Sequence, residues 1–245
     1  MTYGLGMLTE AGLVMASDSR SNAGVDHVAR VSKLSRFEVP DNRALVLLAA
    51  GNLATTQAVQ QTLQQALGTG SLQDLYAQLS LFDAARCIGN VLRSVMQADA
   101  DFVRPYGDPS ATFLFGGQIA GGPPGLYMIY SAGNFIAADQ RTPFLQIGET
   151  KYGKPILDRS FHPQLDLETS TKLALLSFDA TIRSNLSVAA PIDLVRYRTD
   201  RLALGTTYEF GTGDSYYDAV TGGFSTGLTD LVDQLPNPPR NETPA

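Results

Sequence analysis

The chain begins Met1-Thr2-Tyr3 and runs directly into alternating apolar residues, so a hydroxyl side chain stands second in a segment patterned for burial. A threonine hydroxyl is a weak nucleophile and needs a base. With Met1 removed, Thr2 carries a free α-amine a few bonds from its own hydroxyl. Such an amine has a reference pKa of about 7.7–8. A neighbouring cation lowers it by disfavouring a second positive charge. One residue then supplies both nucleophile and base, the N-terminal-threonine form of covalent catalysis. That chemistry needs a lysine to set the field and a carboxylate to hold the lysine. It also needs an N–H donor for the oxyanion, worth about 3–4 kcal/mol of barrier. Asp18 closes the second apolar run and Lys33 lies early in the third. Gly51 stands at a strand-to-helix corner, where a glycine N–H can approach a substrate closely. Taken singly, each of these residues reads as an ordinary turn, surface or cap residue.

The elements that must position them follow from hydrophobic periodicity. Residues 2–9 and 12–18 flank a Glu10-Ala11-Gly12 turn, a hairpin signal that returns Asp18 toward the chain start. Residues 19–30 are polar and read as a loop. Residues 31–39 alternate, with Val31, Lys33, Ser35 and Phe37 on one side, and Pro40-Asp41-Asn42 reads as a turn. Residues 44–51 form a short continuous apolar run, consistent with a strand buried on both faces. Asn52 is a good N-cap for a helix with Val59, Leu63, Ala66 and Leu67 on one face. A second helical pattern over 84–99 aligns Ala84, Ile88, Val91, Leu92 and Val95. Strands are expected at 111–120, 125–133 and 134–139, a third helix at about 168–184, and strands at 191–200 and 206–210. Segregated runs of this kind favour an α+β fold with antiparallel sheets. No composition break interrupts residues 1–235, which are expected to form a single domain. The Pro-rich residues 236–245 are expected to be a mobile tail. The Gly-rich stretches 116–125 and 211–214 read as a loop and a turn. Tyr-rich 214–220 reads equally as a packed turn or a subunit contact.

Composition excludes several classes. A hydrophobic fraction of 44% supports a real core and rules out global disorder. The charged fraction of 17% is below the usual value of about 25%, as expected if part of the surface is buried against other subunits. With a net charge of −6 and scattered Lys and Arg, the chain lacks a basic stripe for nucleic acid and a polybasic membrane patch. No apolar run reaches the roughly 18 residues of a spanning helix, and the start does not read as a signal peptide. Cys87 is the only cysteine, which precludes an intrachain disulfide and fits a reducing compartment. With only His27 and His162 beside it, no zinc site of familiar spacing is available. Neither histidine belongs to a Gly-x-Ser-x-Gly motif. No metal or cofactor is expected.

The stretches MTYGLG, LVMASDSR, NAGV, SKL and LLAAGNLA together resemble the proteasome β-subunit family of N-terminal nucleophile hydrolases. The likeness is greatest to the bacterial Anbu (ancestral β-subunit) branch and extends from Thr2 to the strands after residue 190. It implies Thr2 as nucleophile with its own amine as base, Asp18 and Lys33 as the charge pair, and the Gly51 N–H as oxyanion donor. It also implies a four-layer αββα sandwich and a cytoplasmic threonine peptidase or amidase. Such an enzyme would act on a peptide or amide substrate through an acyl-enzyme on Thr2 once Met1 is removed. The expected assembly is a large homo-oligomer, an open ring or helical lock-washer. Two family elements differ. The Gly-Ser-Gly turn is replaced by Gly148-Glu149-Thr150, and the Asp-x-x-Ser after the late helix is reduced to Ser184 and Ser187, which are carried over as the supporting shell. These departures keep two other readings open: a non-catalytic scaffold subunit, and an amidase for a small non-peptide substrate.

Overall fold

Three buried apolar patterns decide the architecture. The computed structural model describes residues 2–23 and 27–238. The first two runs fold as the expected hairpin: β1 (Tyr3–Thr9) and β2 (Gly12–Asp18) pair antiparallel, with Gly4 opposite Ser17. Three later strands extend this hairpin. β10 (Phe144–Gly148) pairs with β1, β11 (Ile192–Arg198) with β2, and β12 (Tyr208–Phe210) with β11. The result is a five-stranded antiparallel sheet in the order β10-β1-β2-β11-β12. The second five-stranded sheet is a meander of β5 (Leu34–Val39), β6 (Arg43–Gly51), β7 (Ala111–Ile119), β8 (Gly125–Ile129) and β9 (Phe135–Ala137).

Strand β6 shows why the sheets stack. Leu45, Leu47 and Ala49 face outward onto Val59 and Leu63 of α1 (Leu53–Ala66) and onto Ala84, Ile88, Val91 and Leu92 of α2 (Leu81–Val103). Ala44, Val46, Leu48 and Ala50 face the other way and meet Leu13, Met15, Val195 and Tyr197 of the first sheet. Both faces are covered, so the sequence is an unbroken apolar run. On its far side the first sheet packs Tyr3, Leu5, Val14 and Ala16 against Leu157 of α3 (Lys154–Ser160) and Ala174, Leu175 and Phe178 of α4 (Leu167–Ser184). The layers run helix, sheet, sheet, helix, the αββα sandwich. The helix starts are fixed by side-chain caps. Asn52, Ser80 and Asp166 accept the N–H of Thr55, Asp83 and Thr169 at 3.2, 3.1 and 2.6 Å.

The structure departs from the sequence expectation in four places. The polar stretch 19–30 contains a two-stranded ribbon, β3 (Arg20–Ala23) and β4 (His27–Arg30). Residues 24–26 lie outside the described residues. A main-chain ladder leaves no apolar alternation to read. Strand β10 and helix α3 are too short, at five and seven residues, to give a clear period. Helix α5 (Ser215–Gln234) starts within the Tyr-rich stretch that read as a turn or subunit contact. Asp214 caps it by accepting the Tyr217 N–H at 2.8 Å. Gly222, Gly223 and Gly227 hide it, each costing about 1 kcal/mol in helix propensity relative to alanine. Only Tyr217 and Thr221 of α5 are buried, while Phe224, Leu228 and Leu231 form an exposed apolar stripe. Of the expected tail, residues 236–238 follow without regular structure and 239–245 lie outside the described residues.

Candidate active site

The candidate site lies at the end of the sandwich where β1 begins, β2 ends and β5 starts. Lys33 immediately precedes β5. Its carbonyl accepts the Ala49 N–H at 3.0 Å, which carries the β5–β6 ladder one rung further and fixes the lysine backbone. Lys33 Nζ donates to Asp18 Oδ1 at 2.9 Å. The same oxygen accepts the Tyr3 N–H at 2.9 Å. One carboxylate therefore joins the lysine to the peptide unit that follows Thr2. Asp18 is fully buried and Lys33 only 7% exposed. Burial pushes the Asp18 carboxyl up and the Lys33 ammonium down, and the opposite charge of each partner resists the shift of the other. Two charges taken this far from water persist only as a pair. A second carboxylate stands behind them: Asp193 of β11 accepts Ser32 Oγ at 3.1 Å and its charge favours the Lys33 ammonium. A backbone N–H of Arg20 also favours the charged Asp18 carboxylate, and Ser17 Oγ is buried with no hydrogen-bond partner among the described residues.

Gly51 ends β6 two residues beyond Ala49, the partner of Lys33. Its φ is 115°, and a Cβ there would lie 2.3 Å from the Ser110 carbonyl oxygen, so only glycine fits. The next N–H, that of Asn52, donates to Ser110 O at 2.9 Å. Alternation along an antiparallel ladder directs the Gly51 N–H the opposite way, to the side on which Ala49 meets Lys33. β5 starts at Leu34, so the Gly51 N–H extends past the strand that would pair it. The N-terminus of α1 adds partial positive charge beside it.

Thr2 is half-buried. Its carbonyl accepts the Glu149 N–H at 2.7 Å. The turn that allows this depends on Gly148, whose φ is 77° and whose added Cβ would sit 1.9 Å from the Thr2 oxygen. The Glu149 side chain is buried; Oε1 accepts the Lys151 N–H at 3.2 Å and Oε2 accepts Asn185 Nδ2 at 2.9 Å. Asn185 ends α4, donating its N–H to Thr181 O, and its Oδ1 accepts the Ser187 N–H at 2.9 Å. Ser187 thus belongs to the loop that holds Asn185, whereas Ser184 is exposed at the last helical position. Asp18 and Lys33 come together beside the peptide that follows Thr2. Glu149 and Asn185 were not nominated from the sequence as site residues. The resemblance placed this turn near the site and made the replacement of serine by Glu149 visible, but without β10 nothing indicated the bond between Glu149 and Thr2. Among the described residues no group of three or more His, Cys, Asp or Glu side chains is arranged to hold a metal ion.

No curated protein matches the sequence. The family model for proteasome subunits matches residues 2–195. Among solved structures, the helical assembly of the Anbu complex from Pseudomonas aeruginosa is 46% identical with a TM-score of 0.91, covering 98% of this chain and 100% of that one. An Anbu Gly-1 mutant from Hyphomicrobium sp. strain MC1 is 41% identical with a TM-score of 0.91, covering 98% and 100%. Anbu from Yersinia bercovieri is 40% identical with a TM-score of 0.90, covering 97% and 99%. On this fold, this end-of-sheet geometry and these matches, the chain belongs to the proteasome-subunit family, in its Anbu (ancestral β-subunit) branch.

Proposed function

We propose that this chain is an N-terminal threonine hydrolase, a peptidase or amidase, working within a self-assembling particle. The observation that carries the reading is the buried Asp18 oxygen shared between Lys33 Nζ and the N–H of the residue after Thr2. Once Met1 is removed, the Thr2 amine takes the proton of its own hydroxyl as Oγ attacks the substrate carbonyl. The new C–O bond pushes the carbonyl electron pair onto oxygen, and the Gly51 N–H donates a hydrogen bond to that oxyanion. The amine then gives its proton to the leaving nitrogen as the C–N bond breaks, which leaves an ester on Thr2. Water, deprotonated by the same amine, hydrolyses the ester and regenerates the hydroxyl. The Lys33 ammonium keeps the amine uncharged at neutral pH, and Asp18 keeps Lys33 charged. Self-assembly is supported by the exposed apolar stripe on α5 and by the helical assembly of the Pseudomonas aeruginosa relative.

The test is intact-mass analysis of protein purified from its native cells, before and after treatment with an electrophilic peptide. The expected result is a chain beginning at Thr2 that gains one adduct, which Thr2→Ala abolishes. A chain that retains Met1 and gains no adduct refutes the proposal. It would favour the scaffold reading, for which the loss of the family's serine at Glu149 is the specific observation.

A further inference from the structure

In the processed chain the Thr2 amine must be uncharged to act, and the residues around it decide how readily it sheds its proton. Lys33 and Asp18 stand beside the peptide that follows Thr2, with Asp193 behind them. Glu149 also reaches the chain start, its N–H donating to the Thr2 carbonyl at 2.7 Å. The ladder itself ends at Tyr3 opposite Gly148, so this single bond just past the turn is what fixes Glu149 beside Thr2. The Glu149 carboxylate is 7% exposed, and both of its bonds come from neutral donors, the Lys151 N–H and the Asn185 amide. Neither bond cancels its charge. Of the cations near the chain start, Lys33 pairs with Asp18, Arg20 follows Asp18 and bonds its carboxylate through the backbone, Arg183 at the end of α4 pairs with Asp179 at 2.8 Å, and the Lys151 side chain is exposed.

We infer that Glu149, held in place by Asn185, is a positioning residue that draws a proton onto the Thr2 amine and so opposes Lys33. This deepens the proposed function and rests on it. A serine in the family's turn is neutral and exerts no such pull. The 2.7 Å bond and the reach of the two residues keep the carboxylate within roughly 12 Å of the amine, and a unit charge at that range with an effective dielectric of about 20 changes proton affinity about tenfold before screening. The base of this chain therefore works in a more alkaline range than the same amine beside a serine. Asn185 acts through Glu149 by fixing where the charge sits.

Competitive trace labelling of the α-amine with acetic anhydride across pH, read by mass spectrometry of the N-terminal peptide, measures that proton affinity without relying on turnover. The samples are the assembled protein, Glu149→Gln, Glu149→Ser as an independent neutral variant, and Asn185→Ala. In both Glu149 variants the amine is expected to bind its proton at least about threefold more weakly, and the acid limb of the pH–kcat/KM profile to move the same way. Asn185→Ala keeps the charge and should lower thermal stability while leaving proton affinity nearer the parent value. A free Thr2 amine whose affinity is unchanged in Glu149→Gln and Glu149→Ser overturns the inference and leaves the threonine-hydrolase reading standing. Absence of a free Thr2 amine overturns that reading and the inference with it.

Discussion

Replacing Asp18 with asparagine removes one charge and almost no volume. The carboxamide oxygen can still accept the Tyr3 N–H, but it cannot balance the Lys33 ammonium, which is 7% exposed. Breaking a buried ion pair from one side typically costs 3–5 kcal/mol, because the surviving charge is left uncompensated. Domains of this kind unfold with about 5–15 kcal/mol in total, so the loss is a large fraction. Burial already pushes Lys33 down, and without Asp18 only Asp193 remains to favour its ammonium. Urea unfolding at pH 7 reads the stability as a shift in midpoint at constant slope. Adding Lys33→Met should recover much of the loss, since an apolar side chain in place of a buried charge is often neutral or stabilising. The double variant should then fold well and still fail to label Thr2 with an electrophilic peptide, which separates stability from chemistry. A cost below about 1 kcal/mol for Asp18→Asn, or a double variant no more stable than the single, would refute the paired-charge account.

The Tyr3 hydroxyl is pushed up from 10.0 to about 12 by burial, opposed by its bonds to Ser177 and Gln146. The folded chain keeps a proton that the unfolded chain loses, so the stability this group contributes is complete below pH 10. It is lost as pH rises toward 12, by about 2–3 kcal/mol. Tyr3→Phe should remove that share of the alkaline slope, with the share of Tyr217, also pushed up to about 12, remaining; an unaltered slope in denaturant titrations at pH 9–12 contradicts it. Gly148→Ala should cost about 2 kcal/mol or more, because its Cβ would lie 1.9 Å from the Thr2 oxygen, and should abolish adduct formation; full activity in a purified variant would count against the turn. Gly51→Ala should lower turnover by about 100-fold or more, beyond any loss of folded protein, and single-turnover acylation rates decide this. Cys87 is buried and its thiol pushed up to about 11 by burial, so an aromatic disulfide reagent at pH 8 should titrate it rapidly only after unfolding.

Where a long period met a single environment, the sequence was readable. The alternation of β1 and β2 and the Glu10-Ala11-Gly12 turn lead to Asp18 opposite the chain start, and the unbroken run of β6 reflects cover on both faces. Lys33 was harder, because its approach to Asp18 depends on how two sheets stack; its place early in the third run made it a candidate, and the family resemblance gave it a role. Glu149 was unreadable for a related reason. Its contact with Thr2 spans nearly 150 residues through β10, a strand of five residues whose alternation is too brief to stand out. Asn185 took its place from the end of α4, where a cap residue looks like any other polar side chain. Helix α5 was concealed by its own glycines, and its exposed stripe offers no buried period to detect.

Helix α5 also partitions the molecule's free energy. Its buried anchors are Tyr217 and Thr221, both in its first two turns, and its three glycines weaken the remainder. Its C-terminal turns can therefore open and reclose at a small fraction of the global unfolding cost, while the two sheets stay shut. Amide hydrogens there should exchange early, and those of β1, β2 and β6 last. Substitutions or attachments along Phe224, Leu228 and Leu231 should therefore leave the chain start undisturbed.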